Sequence, residues 1–133
     1  MKEDFIESEK KVKVLIVVDN LIEVYNNKRK GVFTTLATRS RHYGVDYIFT
    51  THKYNRLPPI IRLNSTTKLF FKITNRQEMN VIKEELSTRD LPEEEVERII
   101  DEATKEPYTY ILFKEGEETK YYKGKGLECE EID

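Results

Sequence analysis

Apolar positions along this chain fall into short runs separated by stretches of helical period. Residues 12–18 form a near-continuous apolar run, which is the pattern of a strand buried on both faces of a parallel sheet. Asn26 and Asn27 are placed to cap a helix running to about Arg41, with Val32, Phe33, Leu36 and Ala37 as its apolar stripe. Gly44 breaks that helix, and residues 45–50 read as the next strand. Pro58 and Pro59 argue against a regular helix where they stand. Residues 66–73 predict a third strand. Asn75 with Glu78 three residues on predicts a capped helix that turns Met79, Ile82 and Leu86 inward. Asp90 and Pro92 open another helix, acidic in its first turn, with Val96, Ile99, Ile100 and Ala103 on one side. Residues 108–113 read as a fourth strand, Gly116 as a turn, and 118–122 as an antiparallel edge strand. Strands alternating with helices predict a single α/β domain over 1–133. It would be a three-layer, mostly parallel sheet with an antiparallel edge and ligands at the carboxyl ends of its strands. Residues 1–11 read as a frayed, charged start.

Composition narrows the class. A chain of 133 residues buries a real core, and 36% charged residues with a mean hydropathy of -0.68 predict a soluble protein. The longest apolar run is far too short to span a bilayer, so no membrane insertion is expected. The opening MKEDFIESEKK lacks the apolar segment of a secretory leader. One cysteine, Cys129, allows neither an internal disulfide nor a zinc cluster and suggests a reducing, intracellular setting.

Charge is unevenly spread. Residues 26–76 hold eleven Lys/Arg against one acid, Asp46, whereas residues 77–133 hold eight against eighteen Asp/Glu. A cationic middle attracts phosphate, whether of nucleotide or nucleic acid, and Lys28, Arg29, Lys30, Lys53 and Arg56 are its candidate nucleic-acid contacts. The plainer reading is a solvated face neutralised within the fold.

The candidate chemistry sits at the strand ends. Asp19 closes the first apolar run, the position at which phosphoryl-transfer proteins hold Mg²⁺. The same acid can serve as a helix cap or a loop turn. The second strand also ends in polar residues, and arginines stand before and after it. This is the layout of the sensing half of a P-loop ATPase, yet no G-x-x-x-x-G-K-S/T occurs in the chain.

The segments VLIVVDN (14–20), TRSRHYGVDYIFTTHKY (38–54) and LPPIIRLNSTTKLFFKI (57–73) resemble the viral DNA-packaging ATPases of the FtsK–HerA superfamily, found in poxviruses and other large nucleocytoplasmic DNA viruses. The resemblance spans about residues 12–113 and implies part of a RecA-like P-loop core, the Walker B and sensor portion without Walker A. It implies that Asp19 is the Walker B acid holding Mg²⁺ through water, and that His52 occupies the sensor position that reads the γ-phosphate of ATP. Arg41 and Arg62 would lie near a subunit boundary, either one reaching a neighbour's nucleotide as an arginine finger, and His42 would pack or hydrogen-bond at its helix end. The implied function is ATP-driven packaging of double-stranded DNA into capsids. The implied assembly is a homo-oligomeric ring, or a pairing with a second chain carrying Walker A, beside capsid or portal proteins. The implied location is the host-cell cytoplasm or the virion.

Three departures bear on hydrolysis. Walker A and its lysine are missing. Asn20 stands where the family has a second acid that polarises the attacking water, a proton an amide does not accept, and Glu23 on the next turn is the nearest replacement. His52 stands where the family has glutamine. The isolated chain is therefore expected to be inactive. The alternatives are a non-catalytic nucleic-acid-binding or assembly subunit that keeps the fold, and a regulatory flavodoxin-like domain in which Asp19 is an ordinary loop acid.

Overall fold

The run VLIVV combines β-branched and apolar side chains, and it takes the extended conformation they favour. The computed structural model describes residues 13–132; Val12, the expected frayed start at 1–11 and Asp133 lie outside the described residues. The chain divides into two compact units, Met1–Asn64 and Ser65–Asp133.

In the first unit, strand β1 (Val14–Val18) pairs parallel with β2 (Val45–Phe49). The crossover between them carries α1 (Leu21–Val24) and α2 (Lys30–Arg39). Asn26 accepts from the N–H groups of Lys28 and Arg29, both at 3.0 Å, so it holds the turn that leads into α2 and is not its cap. A 3-10 turn, Ser40–Tyr43, follows, and Gly44 ends it at φ 63°, a conformation that favours glycine. After β2 comes a second 3-10 turn, Tyr54–Arg56, and then α3 (Pro59–Asn64). That helix corrects the expectation that the two prolines exclude one. Pro59 is its first residue, where a missing N–H costs nothing, and the Pro58 carbonyl accepts from Ile61 at 3.0 Å and Arg62 at 3.2 Å.

Leu21, Phe33, Ala37, Leu57 and Ile61 form the buried cluster of this unit, with Val18, Phe49 and Tyr54 packed against it. Phe33 meets Phe49 edge-on at 6.0 Å. The expected burial of the parallel strands on both faces is not found. Ile16, Val18, Tyr47 and Phe49 are half-buried, while Leu15, Val17 and Ile48 on the alternate positions stay 57%, 59% and 50% exposed. Parallel sheets ordinarily have both faces covered, and here one lies open.

In the second unit, β3 (Thr67–Phe70), β4 (Thr109–Lys114), β5 (Lys120–Lys125) and β6 (Glu128–Glu131) form an antiparallel sheet in that order. Helices α4 (Arg76–Leu86) and α5 (Glu93–Ala103) lie between β3 and β4. The protein is thus mixed α/β, but the expected predominance of parallel strands gives way to one parallel pair and one antiparallel sheet. Two successive helices, not one, return the chain to the end of the sheet it left, so β4 runs against β3. Hairpins then keep β5 and β6 antiparallel.

The reading of α4 holds in detail. The Asn75 side chain accepts from the Glu78 N–H at 3.1 Å, and Met79, Ile82 and Leu86 are buried. Val96, Ile100 and Ala103 of α5 are buried with Ile111 and Phe113 of β4. Lys68 lies on the buried side, 8% exposed, with its ammonium bonded to the Ser65 carbonyl at 2.8 Å and to Glu115 at 3.3 Å.

Gly124 sits under the Tyr110 ring, whose hydroxyl donates to the Gly126 carbonyl at 3.0 Å. A Cβ at 124 would stand 2.5 Å from Tyr110 and 2.7 Å from the Glu128 carbonyl. Gly124→Ala is expected to destabilise the protein by about 1–3 kcal/mol, as overpacking does. Denaturant unfolding measures this; unchanged stability would mean that Tyr110 swings aside at no cost.

Candidate functional site

The carboxyl ends of β1 and β2 converge on one hydroxyl. Thr50, the first residue after β2, donates from Oγ1 to Asp19 Oδ1 at 2.5 Å. The same oxygen accepts from the Asn20 N–H at 2.8 Å. Backbone bonds close the knot: Thr50 N–H to the Val18 carbonyl at 3.0 Å, and Leu21 N–H to the Thr50 carbonyl at 2.9 Å. Asn20 is held left-handed at φ 55°, ψ 65°, which asparagine tolerates better than most residues. This bend turns the chain from β1 into α1.

Asp19 does not cap a helix. Asn20 is the cap residue of α1, and it makes no side-chain cap bond. The Asp19 carboxylate is exposed, one oxygen is taken by Thr50, and the other has no hydrogen bond among the described residues. A carboxylate oriented from one side and open on the other suits a cation or its bound water. Among the described residues no group of three or more His, Cys, Asp or Glu could by itself enclose a metal ion. Asp19 thus offers one carboxylate oxygen to a cation, and no phosphate-gripping loop accompanies it in the sequence.

Thr50 was not singled out in the sequence, where attention falls on His52. The missed signal is its position: it is the first polar residue after an apolar strand that runs beside the strand ending in Asp19. His52 lies two residues further on. It is exposed and makes no side-chain bond among the described residues, while Thr51 takes up a local turn by accepting from the Lys53 N–H at 3.1 Å.

The two arginines differ. The guanidinium of Arg62 stands 5.8 Å from the centre of the Tyr54 ring and donates to the Asn55 carbonyl at 3.4 Å, so it ties α3 to the loop after β2. Arg41 lies in the 3-10 turn before β2, exposed and without an ion pair among the described residues. It is at the opposite end of β2 from Thr50, about 16 Å along a five-residue strand. Arg41 and Asp19 of one chain are therefore not brought together. His42, expected to pack or hydrogen-bond at its helix end, is exposed and makes no side-chain bond among the described residues. Glu23 is exposed on α1 and makes no side-chain bond among the described residues.

Of the expected nucleic-acid contacts, Lys28, Arg29 and Lys30 cluster at the entry to α2, Lys53 precedes the 3-10 turn after β2 and Arg56 ends it; all five are exposed. Among the described residues no helix is long and apolar enough to cross a membrane. No family model, no curated protein and no solved structure matches the chain.

Proposed function

We propose that this chain supplies the magnesium-holding and sensing portion of an ATP-driven motor that moves double-stranded viral DNA into capsids. The single observation that carries the reading is the Asp19–Thr50 pair. An exposed acid at the carboxyl end of one parallel strand is oriented by a hydroxyl from the next strand, at the place where open α/β sheets bind ligands. The first unit is then a part of a RecA-like core, and the open face of its parallel pair agrees with a fold of which another part lies elsewhere. ATP and Mg²⁺ are the ligands, and Asp19 is the residue of this chain that would hold the magnesium through water. Bound Mg²⁺ would neutralise phosphate charge. Thr50 orients the acid, and Asn20, held by the same hydroxyl, lines the approach. Assembly as a ring, or with a second chain carrying Walker A, brings Arg41 of one subunit beside the nucleotide of the next. Double-stranded DNA meets the cationic side chains at 28–30, 53 and 56. Capsid or portal proteins are the further partners, in the host-cell cytoplasm or the virion.

The second reading, a nucleic-acid-binding or assembly subunit without turnover, is favoured by Asn20. Its backbone is tied to Thr50, and its amide offers no base at the place of the water-polarising acid.

Fluorescent Mg-ATP titrated into the pure chain, and into the chain mixed with a Walker A polypeptide of the same genome, separates these readings. The motor reading expects no turnover by the chain alone and turnover by the mixture. Asp19→Asn should abolish that turnover with melting temperature nearly unchanged, because Asp19 caps no helix. Turnover by the pure chain that Asp19→Ala removes overturns the division of labour. Nucleotide binding without turnover in the mixture favours the non-catalytic reading.

A further inference from the structure

The antiparallel sheet of the second unit has a buried face, with Ile111 and Phe113 at 0% and 1% exposure, and an outer face of different chemistry. Register arranges that outer face in rows. Thr67, Lys114 and Lys120 stand side by side across β3, β4 and β5. Leu69, Leu112 and Tyr122 form the next row, about 7 Å along the strands. Tyr110 and Gly124 follow, with the ring of Phe71 edge-on to Tyr110 at 6.1 Å. Leu69 is 46% and Phe71 58% exposed, and Leu112 and Tyr122 are half-buried.

Folding leaves two features of this face unexplained. Lys114 and Lys120 lie directly opposite one another, both exposed, and neither forms an ion pair among the described residues. Like charges opposed across strands destabilise a sheet. Beside them, large apolar and aromatic side chains meet water. None of the nearby acids pairs with either lysine among the described residues. Glu115 is engaged by Lys68 at 3.3 Å, Glu117 and Glu118 occupy the β4–β5 turn, and Glu131 borders Tyr122 on the β6 side.

We propose that this face binds single-stranded nucleic acid. Bases stack on the rings of Phe71 and Tyr122, and a phosphate lies between Lys114 and Lys120, relieving their repulsion, with the Thr67 hydroxyl alongside. Aromatic platforms flanked by cations bind single strands in this way because every unpaired base offers a π-face. A duplex keeps its bases stacked on one another and offers the rings nothing. An acidic peptide would engage the lysines and leave the rings idle. The proposal stands apart from the motor reading, whose residues all belong to the first unit.

Fluorescence anisotropy of a fluorescein-labelled oligothymidylate with the full chain tests it. Binding is expected at low salt, and more weakly for a duplex of equal length. Phe71→Ala and Tyr122→Ala should each weaken binding by about 5- to 100-fold. Phe71→Tyr and Tyr122→Phe should restore it, which separates stacking from a folding defect seen in melts. Lys114→Gln and Lys120→Gln should each lower the slope of log affinity against log salt by about 0.7. Absence of binding overturns the proposal. So does binding that survives Phe71→Ala with Tyr122→Ala but is lost when Lys28, Arg29 and Lys30 become glutamine. Equal competition by polyglutamate together with insensitivity to the aromatic changes would instead identify an acidic-peptide surface.

Discussion

Arg41→Ala should, on the proposed motor reading, leave nucleotide binding in place and lower turnover of the assembly by about 10³-fold or more, the effect of losing an arginine finger. The geometry distinguishes it from Arg62. Arg41 stands at the far end of β2 from Thr50, so it acts on a neighbour's nucleotide or on none. Arg62 is occupied within its own chain, over Tyr54 and on the Asn55 carbonyl. Arg62→Ala should accordingly lower the melting temperature and reduce turnover only as far as the loop loosens. Mixing Arg41→Ala subunits with Asp19→Asn subunits should restore part of the activity, because some interfaces then combine an intact acid with an intact arginine. Steady-state ATP hydrolysis across mixing ratios, with assembly followed by sedimentation, measures this. If no mixture recovers activity while assembly persists, Arg41 has no part in catalysis.

Leu21→Ala is expected to cost about 2–5 kcal/mol of stability. Leu21 is fully buried in the cluster with Phe33 and Ile61, and its N–H bonds the Thr50 carbonyl at 2.9 Å. Truncation therefore removes apolar contacts from the residue that fixes the bend carrying Asp19 and Asn20. Unlike Asp19→Asn, it should lose stability and site together, and Mg-ATP binding should fall in step with the melting curve. Activity lost without any loss of stability would place the effect of Leu21 in the site alone.

The elements with strong periodicity were legible in the sequence. The Asn75–Glu78 cap and the inward stripe of α4 are local, so spacing determined them. The two apolar strands were legible for the same reason, and Asp19 stands where the end of the first run puts it. What was not legible depended on distant pairing. Nothing local in ECEE marks β6. It becomes a strand because Gly126 turns the chain at φ 61° and places Glu130 against Lys123 at 3.6 Å. Strand direction in the second unit depended on counting two helices in the crossover, which alternation alone does not weigh. A lone threonine is common after strands, so Thr50 carries no signal of its own in the sequence. Its meaning appears only when β1 lies alongside and brings Asp19 within 2.5 Å.

The open face of the parallel pair bears on solubility as well as on assembly. VLIVV is a short, uncharged, strongly strand-forming segment, the kind that seeds cross-β stacking when its edge or face stays unpartnered. Charges bracket it on both sides: Lys13 before the strand and Asp19 after it. Such flanking charges act as gatekeepers against self-association. Asp19 then carries two duties, the proposed one toward magnesium and one toward keeping free copies of the chain apart. Asp19→Asn removes the second with the first, and a preparation of that variant should be compared at equal monomer concentration, since aggregation would imitate a lost site.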